Sequence, residues 1–365
     1  MVEPESFMTR LRSSQGHVQD RSKELTVVSS NANSLVGSSD RGLGPSPRIR
    51  ALVEPLISGI VTAMPPGAID ALAVVGSASR GEETWQNGEL MGDIDLAVIV
   101  RGRTPLAQRR VLNSMPKLPE KIGMGCFPRY SLSRFRTLEL FEAKQNAWVF
   151  WGDQEIFSQV PIASSADIPE WEGLRLLFNR AVECLRVRAG LTSHWYAAVK
   201  AYLAIGEASL VFLRDYRSSY RGRRTALLQR GSVLGSSRLL DRIDWASAVK
   251  LGERSPEPLP DSLEHERWLM EAIRALQSQF LGSDVGLLEG FNQVSGRTHH
   301  LVHRGWVLAH RWRQPSHWYP ALREDPAFPV WRLALRVLLN EIHLSHSELR
   351  MLISAWESTL QPFQR

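Results

Sequence analysis

Two aspartates and a glycine–serine pair are the residues of this sequence best suited to chemistry. Gly76 and Ser77 end one apolar run, and Asp93 and Asp95 begin the next, with fifteen residues between Ser77 and Asp93. Glycine lets an anion approach the backbone closely, and a serine hydroxyl can donate a hydrogen bond to it. Because alternate residues of a strand point to one face, the two carboxylates project together. Carboxylates beside a phosphate cradle are typical of a magnesium site that holds a triphosphate.

Two short apolar runs would place these groups side by side. Residues 71–76 (ALAVVG) and 93–100 (DIDLAVIV) predict buried strands, because each run is short, continuous and rich in aliphatic side chains. An amphipathic helix is predicted from residue 48 onward and ends at Pro65, where the helical spacing of apolar residues stops. The elements predicted next are a helix over 104–115, a strand over 122–132, a helix over 135–146 and a strand over 148–151.

The chain becomes helical in pattern after about residue 163. The predicted helices cover residues 171–189, 193–216, 241–251, 262–280, 286–313 and 329–360. The fold class expected is therefore α+β, with three parts: a disordered tail at 1–47, an α/β domain at 48–160 and an α-helical domain at 161–365.

A strand, Gly-Ser, a spacer and Asp-x-Asp at the start of an apolar strand together resemble the DNA polymerase β-like nucleotidyltransferase superfamily. The run GSASRGE, residues 76–82, is similar to its branch of minimal and antibiotic nucleotidyltransferases. The run WVFWGD, residues 148–153, resembles the aliphatic-aromatic-Gly signature that often ends this domain. The resemblance covers about residues 50–155, and it implies a small mixed β-sheet flanked by helices, followed by an all-α domain.

The resemblance also implies an activity. The enzyme would transfer a nucleoside monophosphate from a nucleoside triphosphate, with ATP as the expected donor, to a hydroxyl of a small molecule or a protein, and it would release pyrophosphate. Asp93 and Asp95 would be the catalytic residues and the ligands of one or two Mg²⁺ ions. Gly76 and Ser77 would line the phosphates, and Arg80, on the same turn, belongs to the same cofactor-binding set.

Lys200 completes the expected cofactor-binding residues. It lies in an otherwise apolar helical run, where members of the superfamily with an appended helical bundle often place a basic residue that meets the triphosphate. A lysine in apolar surroundings needs a partner. The alternative to a phosphate contact is a structural ion pair with Glu207 or another acid.

The sequence departs from the superfamily pattern in two places. The spacer is long, and residues 84–91 are expected to form a loop in which Trp85 either stacks on a base or is an ordinary, partly exposed aromatic. A third carboxylate, expected near Tyr130 or Ser131, is missing, because residues 122–133 (IGMGCFPRYSLS) contain no acid. Two alternative functions therefore stay open: a catalytically degenerate nucleotide-binding or regulatory protein, and an RNA-directed nucleotidyltransferase.

Composition adds weaker indications. The net charge is +6, and 38 of the 44 basic residues are arginines, which favours an anionic partner but also suits a GC-rich genome. The basic-aromatic run at 216–224 could bind RNA or an anionic acceptor, or it could be a solvated helix end. His299 and His303 have metal-pair spacing, but ordinary surface or core histidines are the preferred interpretation.

Cysteine usage and hydropathy suggest the compartment. Cys126 and Cys184 form neither a CxxC pair nor a disulfide framework, which fits a cytoplasmic protein, and both are expected to be buried and unreactive. No run reaches the roughly 18 apolar residues that a membrane-spanning helix needs, so no membrane partner is expected.

Overall fold

The computed structural model describes residues 44–86, 88–90, 92–101, 121–230, 234–256, 263–297 and 327–360, with isolated positions between 111 and 119. These residues form two compact units. One contains residues 169–294, and the other contains residues 44–168 and the described residues after 294. The two helices that follow residue 326 therefore belong to the unit that contains the sheet, because contacts, and not order along the chain, define a unit. The predicted tail up to residue 43 lies outside the described residues.

The sheet-containing unit holds all the strands among the described residues. They are β1 Ile69–Val75, β2 Trp85–Gln86, β3 Glu89–Leu90, β4 Ile94–Val100, β5 Ile122–Pro128 and β6 Trp148–Gly152. A four-stranded sheet has the order β5-β4-β1-β6, and β2 and β3 form a separate hairpin. β4 is antiparallel to β1 and parallel to β5, and β6 is antiparallel to β1. The fold is therefore α+β with a small mixed sheet, as predicted.

Helices account for most of the remaining described residues. They are α1 Pro47–Ala63, α2 Gly76–Ser79, α3 Arg129–Leu132, α4 Leu138–Asn146, α5 Glu170–Arg188, α6 His194–Phe212, α7 Tyr220–Gln229, α8 Ser237–Lys250, α9 Glu264–Leu281, α10 Leu287–Arg297, α11 Ala327–Leu338 and α12 His346–Leu360. None of the described helices is both long and apolar enough to cross a membrane.

Helix α1 covers the sheet as its apolar spacing predicts. The Ser46 side chain caps its start by accepting a hydrogen bond from the backbone N–H of Ile49. Its buried side chains join one hydrophobic core with those of β1, β4 and β5. The core residues of α1 are Ile49, Val53, Ile57 and Ile60. This packing holds β1 and β4 side by side, and their ends carry the residues of interest.

Several predicted boundaries differ from the observed ones. The strand predicted to reach residue 132 ends at Pro128, because the chain turns there into α3. The helix predicted over 329–360 is two helices, and α11 is followed by Asn340 in the left-handed region, with φ of 57°. Helix α7 was not predicted, since its sequence is too polar to show helical periodicity. Most of the helix predicted over 104–115 lies outside the described residues.

The unit of residues 169–294 is helical and is built around α6. From Ala197 to Phe212, every residue except Lys200 is buried. At the crossing of α5 and α6, a Cβ on Gly173 would lie 3.3 Å from the backbone of Ala208. The small residues at this crossing bring the two backbones close together, so a larger side chain in place of Gly173 would separate the helices.

Candidate functional site

The Asp95 side chain lies between Gly123 of β5 and Gly76, which directly follows β1. In register, Asp95 of β4 pairs with Val75 on one side and with Gly123 on the other. A Cβ on Gly76 would lie 2.9 Å from Asp95 Oδ2, and a Cβ on Gly123 would lie 3.1 Å from Asp95 Oδ1. Both distances are shorter than ordinary Cβ contacts. The carboxylate therefore occupies a slot that stays open because both neighbours lack side chains.

The glycine–serine turn adjoins this slot. The backbone leaves β1 at Gly76 in the left-handed region, with φ of +70°. The turn is held internally, since Ser79 Oγ donates to the carbonyl of Gly76 at 2.8 Å and the backbone N–H of Glu82 donates to that of Ser77 at 3.0 Å. Ser77 is half-buried, and its hydroxyl makes no hydrogen bond to the other described residues. It can therefore donate to a ligand at this end of the sheet.

Asp93 lies at the same end of the sheet as Asp95. It immediately precedes β4 and is exposed. The next residue, Ile94, donates its backbone N–H to the carbonyl of Lys121 at 2.9 Å, which ties this end of β4 to the start of β5. The structure thus brings Asp93, Asp95 and the Gly76–Ser77 turn together. The sequence analysis missed Lys121, whose backbone carbonyl adjoins this end of β4 while its Nζ donates to the carbonyl of Leu90 at 2.5 Å.

Arg80 is held in a buried ion-pair network. Its guanidinium donates to Glu82 Oε2 at 2.8 Å and to Glu142 Oε2 at 3.3 Å, and only 2% of its side chain is exposed. Glu142 belongs to α4, so Arg80 links the turn after β1 to that helix. In this arrangement two carboxylates neutralise the guanidinium, and Arg80 supports the turn from within the protein.

β5 brings no carboxylate to the Asp95 slot. The β5 residues opposite Asp95 and Ala97 are Gly123 and Gly125. A Cβ on Gly125 would lie 2.7 Å from the ring of Phe127, so that ring covers the second glycine. The sequence analysis expected the missing third carboxylate of this strand near Tyr130 or Ser131. That position was wrong, because both residues lie in α3, beyond the end of β5.

The long spacer forms the β2–β3 hairpin in place of the predicted loop. Trp85 of β2 is half-buried and packs against the hydrophobic core. The guanidinium of Arg48 lies 5.4 Å from the centre of the Trp85 ring. The contacts with the hydrophobic core and with Arg48 therefore account for the position of the Trp85 side chain.

Lys200 belongs to the helical unit. It lies 5.4 Å from the ring centre of Tyr196. Burial and the charge of Arg180 act to lower the pKa of Lys200, but attraction to Tyr196 and Glu183 outweighs them and the pKa is raised. Glu207, the acid suggested by sequence spacing, instead accepts from Arg223 at 2.5 Å. The acid whose charge reaches Lys200 is Glu183.

The basic-aromatic run ends in the first turns of helix α7, which begins at Tyr220, and its arginines are paired within the helical unit. Arg223 is buried between Glu207 and the Tyr216 hydroxyl, which it contacts at 2.6 Å. Arg224 bonds Asp244 and Glu253, each at 2.6 Å. These acids neutralise much of the charge that suggested an RNA surface. The histidine pair His299 and His303 lies outside the described residues.

Cys126 and Cys184 are both buried free thiols. Burial raises the pKa of Cys126 to about 12, and it raises that of Cys184 well above its ordinary value. A thiol that keeps its proton at neutral pH is a poor nucleophile. Burial therefore disfavours the thiolate form of both cysteines.

Comparison of the sequence with models of known protein families and with curated proteins gives no match.

Proposed function

We propose that this chain is a Mg²⁺-dependent nucleotidyltransferase whose sheet-containing unit carries the nucleotide site. It would transfer a nucleoside monophosphate from a nucleoside triphosphate to a hydroxyl of a small molecule or a protein, with ATP as the first donor to test. The observation that supports the proposal is the slot that Gly76 and Gly123 leave around Asp95, with Asp93 and Ser77 beside it. These residues suit Mg²⁺, which prefers a few carboxylates and completes its shell with water and phosphate oxygens.

Each residue of the site has a role in this proposal. Asp93 and Asp95 would hold the magnesium ion, which supplies positive charge against the triphosphate oxygens. The Gly76 backbone and the Ser77 hydroxyl would bind phosphate oxygens. The acceptor hydroxyl oxygen would bond to the α-phosphorus and release its proton to solvent, while the bond from that phosphorus to the α–β bridging oxygen breaks. Pyrophosphate leaves with the bridging oxygen.

A second candidate function is nucleotide binding without transfer. It is favoured by Gly123 and Gly125, which take the places beside the Asp95 slot where β5 could have supplied a general base. An RNA-directed enzyme has less support, because acids pair with Arg223 and Arg224 in the basic-aromatic run.

The test measures binding and transfer separately. Binding of ATP, GTP, CTP and UTP would be followed by calorimetry with and without Mg²⁺. Transfer would be followed with a label on either the α- or the γ-phosphate. The variants are Asp93→Asn and Asp95→Asn, and the control is Glu89→Gln, which changes an exposed carboxylate of the β2–β3 hairpin.

We expect one nucleotide to bind only with Mg²⁺, binding to be lost in both aspartate variants, and Glu89→Gln to behave as wild type. Transfer of the α-label, with the γ-label released in pyrophosphate, supports the enzyme. Mg²⁺-dependent binding with no transfer to any acceptor supports the second candidate. Wild-type binding by both aspartate variants would exclude both functions at this site.

A further inference from the structure

Three buried side chains of the helical unit bring metal-binding atoms together away from the Asp95 slot. Cys184 lies on α5, and His265 and Glu266 lie on α9. The potential ligand atoms of these three residues lie within 4.8 Å of one another. The residues are 1%, 1% and 7% exposed, respectively. A thiol, an imidazole and a carboxylate are the three side-chain ligands that zinc takes most often.

A second imidazole lies next to this group. His194 begins α6, and its ring centre is 4.8 Å from that of His265, with an angle of 81° between the ring planes. Its nitrogens lie outside the set of ligand atoms that are within 4.8 Å of one another. His194 therefore packs edge to face against the His265 ring and helps to position it.

The carboxylate of Glu266 is oriented by a charged neighbour. Arg188 Nη2 donates to Glu266 Oε2 at 2.6 Å, and the Glu266 side chain is 10% exposed. Carboxylates that bind metals are commonly held in this way by a hydrogen bond from a second residue. The thiolate and the carboxylate together offset the charge of a divalent ion, which lowers the cost of burying it.

We propose that Cys184 of α5 and His265 and Glu266 of α9 bind one zinc-class divalent ion that ties these two helices together. The three side chains supply three positions of a tetrahedral shell, and a water molecule takes the fourth. On binding, the thiol proton of Cys184 is released to solvent and the sulfur bonds to the ion as thiolate. The site is separate from the proposed nucleotide site and does not depend on the proposed function.

The test uses the full chain and the metals themselves. Purified protein would be loaded with Zn²⁺, freed of excess ion and assayed by elemental mass spectrometry. A second sample would be loaded with Co²⁺ and examined for a thiolate-to-cobalt charge-transfer band. The variants are Cys184→Ser and His265→Gln. The control is Cys126→Ser, which makes the same change at the other buried cysteine, in the sheet-containing unit.

We expect about one Zn²⁺ per chain, a loss of affinity of roughly a hundredfold or more in each ligand variant, and wild-type binding in Cys126→Ser. The cobalt band should be present in wild type and in Cys126→Ser. If Cys184→Ser does not fold, the wild-type cobalt spectrum still decides. Wild-type protein that binds no zinc, or a cobalt complex without a thiolate band, would overturn the proposal.

Discussion

At the scale of single residues, Gly123 controls the space around the Asp95 carboxylate. Because a Cβ at this position would lie 3.1 Å from Asp95 Oδ1, Gly123→Ala pushes on the carboxylate while leaving the backbone in an ordinary strand conformation. Overpacking of this kind typically costs about 1–3 kcal/mol. We expect Gly123→Ala to weaken Mg²⁺-dependent nucleotide binding roughly tenfold or more, as measured by calorimetry.

The control for this substitution is Gly59→Ala in α1. No atom lies within 4 Å of a Cβ built at Gly59, so the added methyl group meets open space. Alanine in place of glycine inside a helix stabilises the folded state by about 0.4–1 kcal/mol. Gly59→Ala should therefore raise the free energy of unfolding and leave nucleotide binding unchanged. Equal binding by the two variants would show that the slot around Asp95 does not matter for the nucleotide.

At the scale of elements, Gly152 decides whether β6 can join the sheet. Its φ is +89°, and a Cβ there would lie 2.1 Å from the carbonyl oxygen of Asp70. Gly152→Ala must therefore move β6 away from β1. We expect a loss of about 2–4 kcal/mol in the free energy of unfolding, in the range of severe backbone strain combined with lost packing. Urea unfolding followed by circular dichroism measures this loss.

A second glycine-to-alanine substitution separates the cost of steric crowding from the cost of the backbone conformation. Gly282 ends α9 with φ of +74°, and nothing lies within 4 Å of a Cβ built there. Gly282→Ala should cost only the conformational part, about 1 kcal/mol. If both variants lose the same stability, the close approach of β6 to β1 contributes nothing and the prediction is wrong.

At the scale of the whole molecule, the two proposed ligands belong to different units. Hydrogen exchange measured by mass spectrometry should report each ligand in its own unit, because binding suppresses local opening where contacts are made. We expect Mg²⁺ with nucleotide to slow exchange in peptides of residues 69–100. Removal of zinc should speed exchange in peptides of α5 and α9. Slowing by nucleotide only within residues 169–294 would contradict the assignment of the nucleotide site to the sheet-containing unit.

Local patterns in the sequence were sufficient to predict the α+β class, the strand that precedes Gly76, the strand that carries Asp95, and the approximate extents of α1, α5 and α6. Such features depend on apolar periodicity and on proline, which act over a few residues. Helix α7 and the break between α11 and α12 were missed. In α7 the polar sequence hides the period, and at the break Asn340 provides a stop in the left-handed region that no proline marks.

The sequence by itself determined which residues could form the candidate site, because Gly-Ser ends one predicted strand and Asp-x-Asp begins the next. Only the tertiary structure decided what surrounds them. The parallel register of β4 and β5 places Gly123 beside Asp95, and burial pairs Arg80 with Glu82 and Glu142. The cluster of Cys184, His265 and Glu266 was invisible for the same reason. Cys184 lies about eighty positions before the adjacent His265 and Glu266, and only the packing of α5 against α9 brings them together.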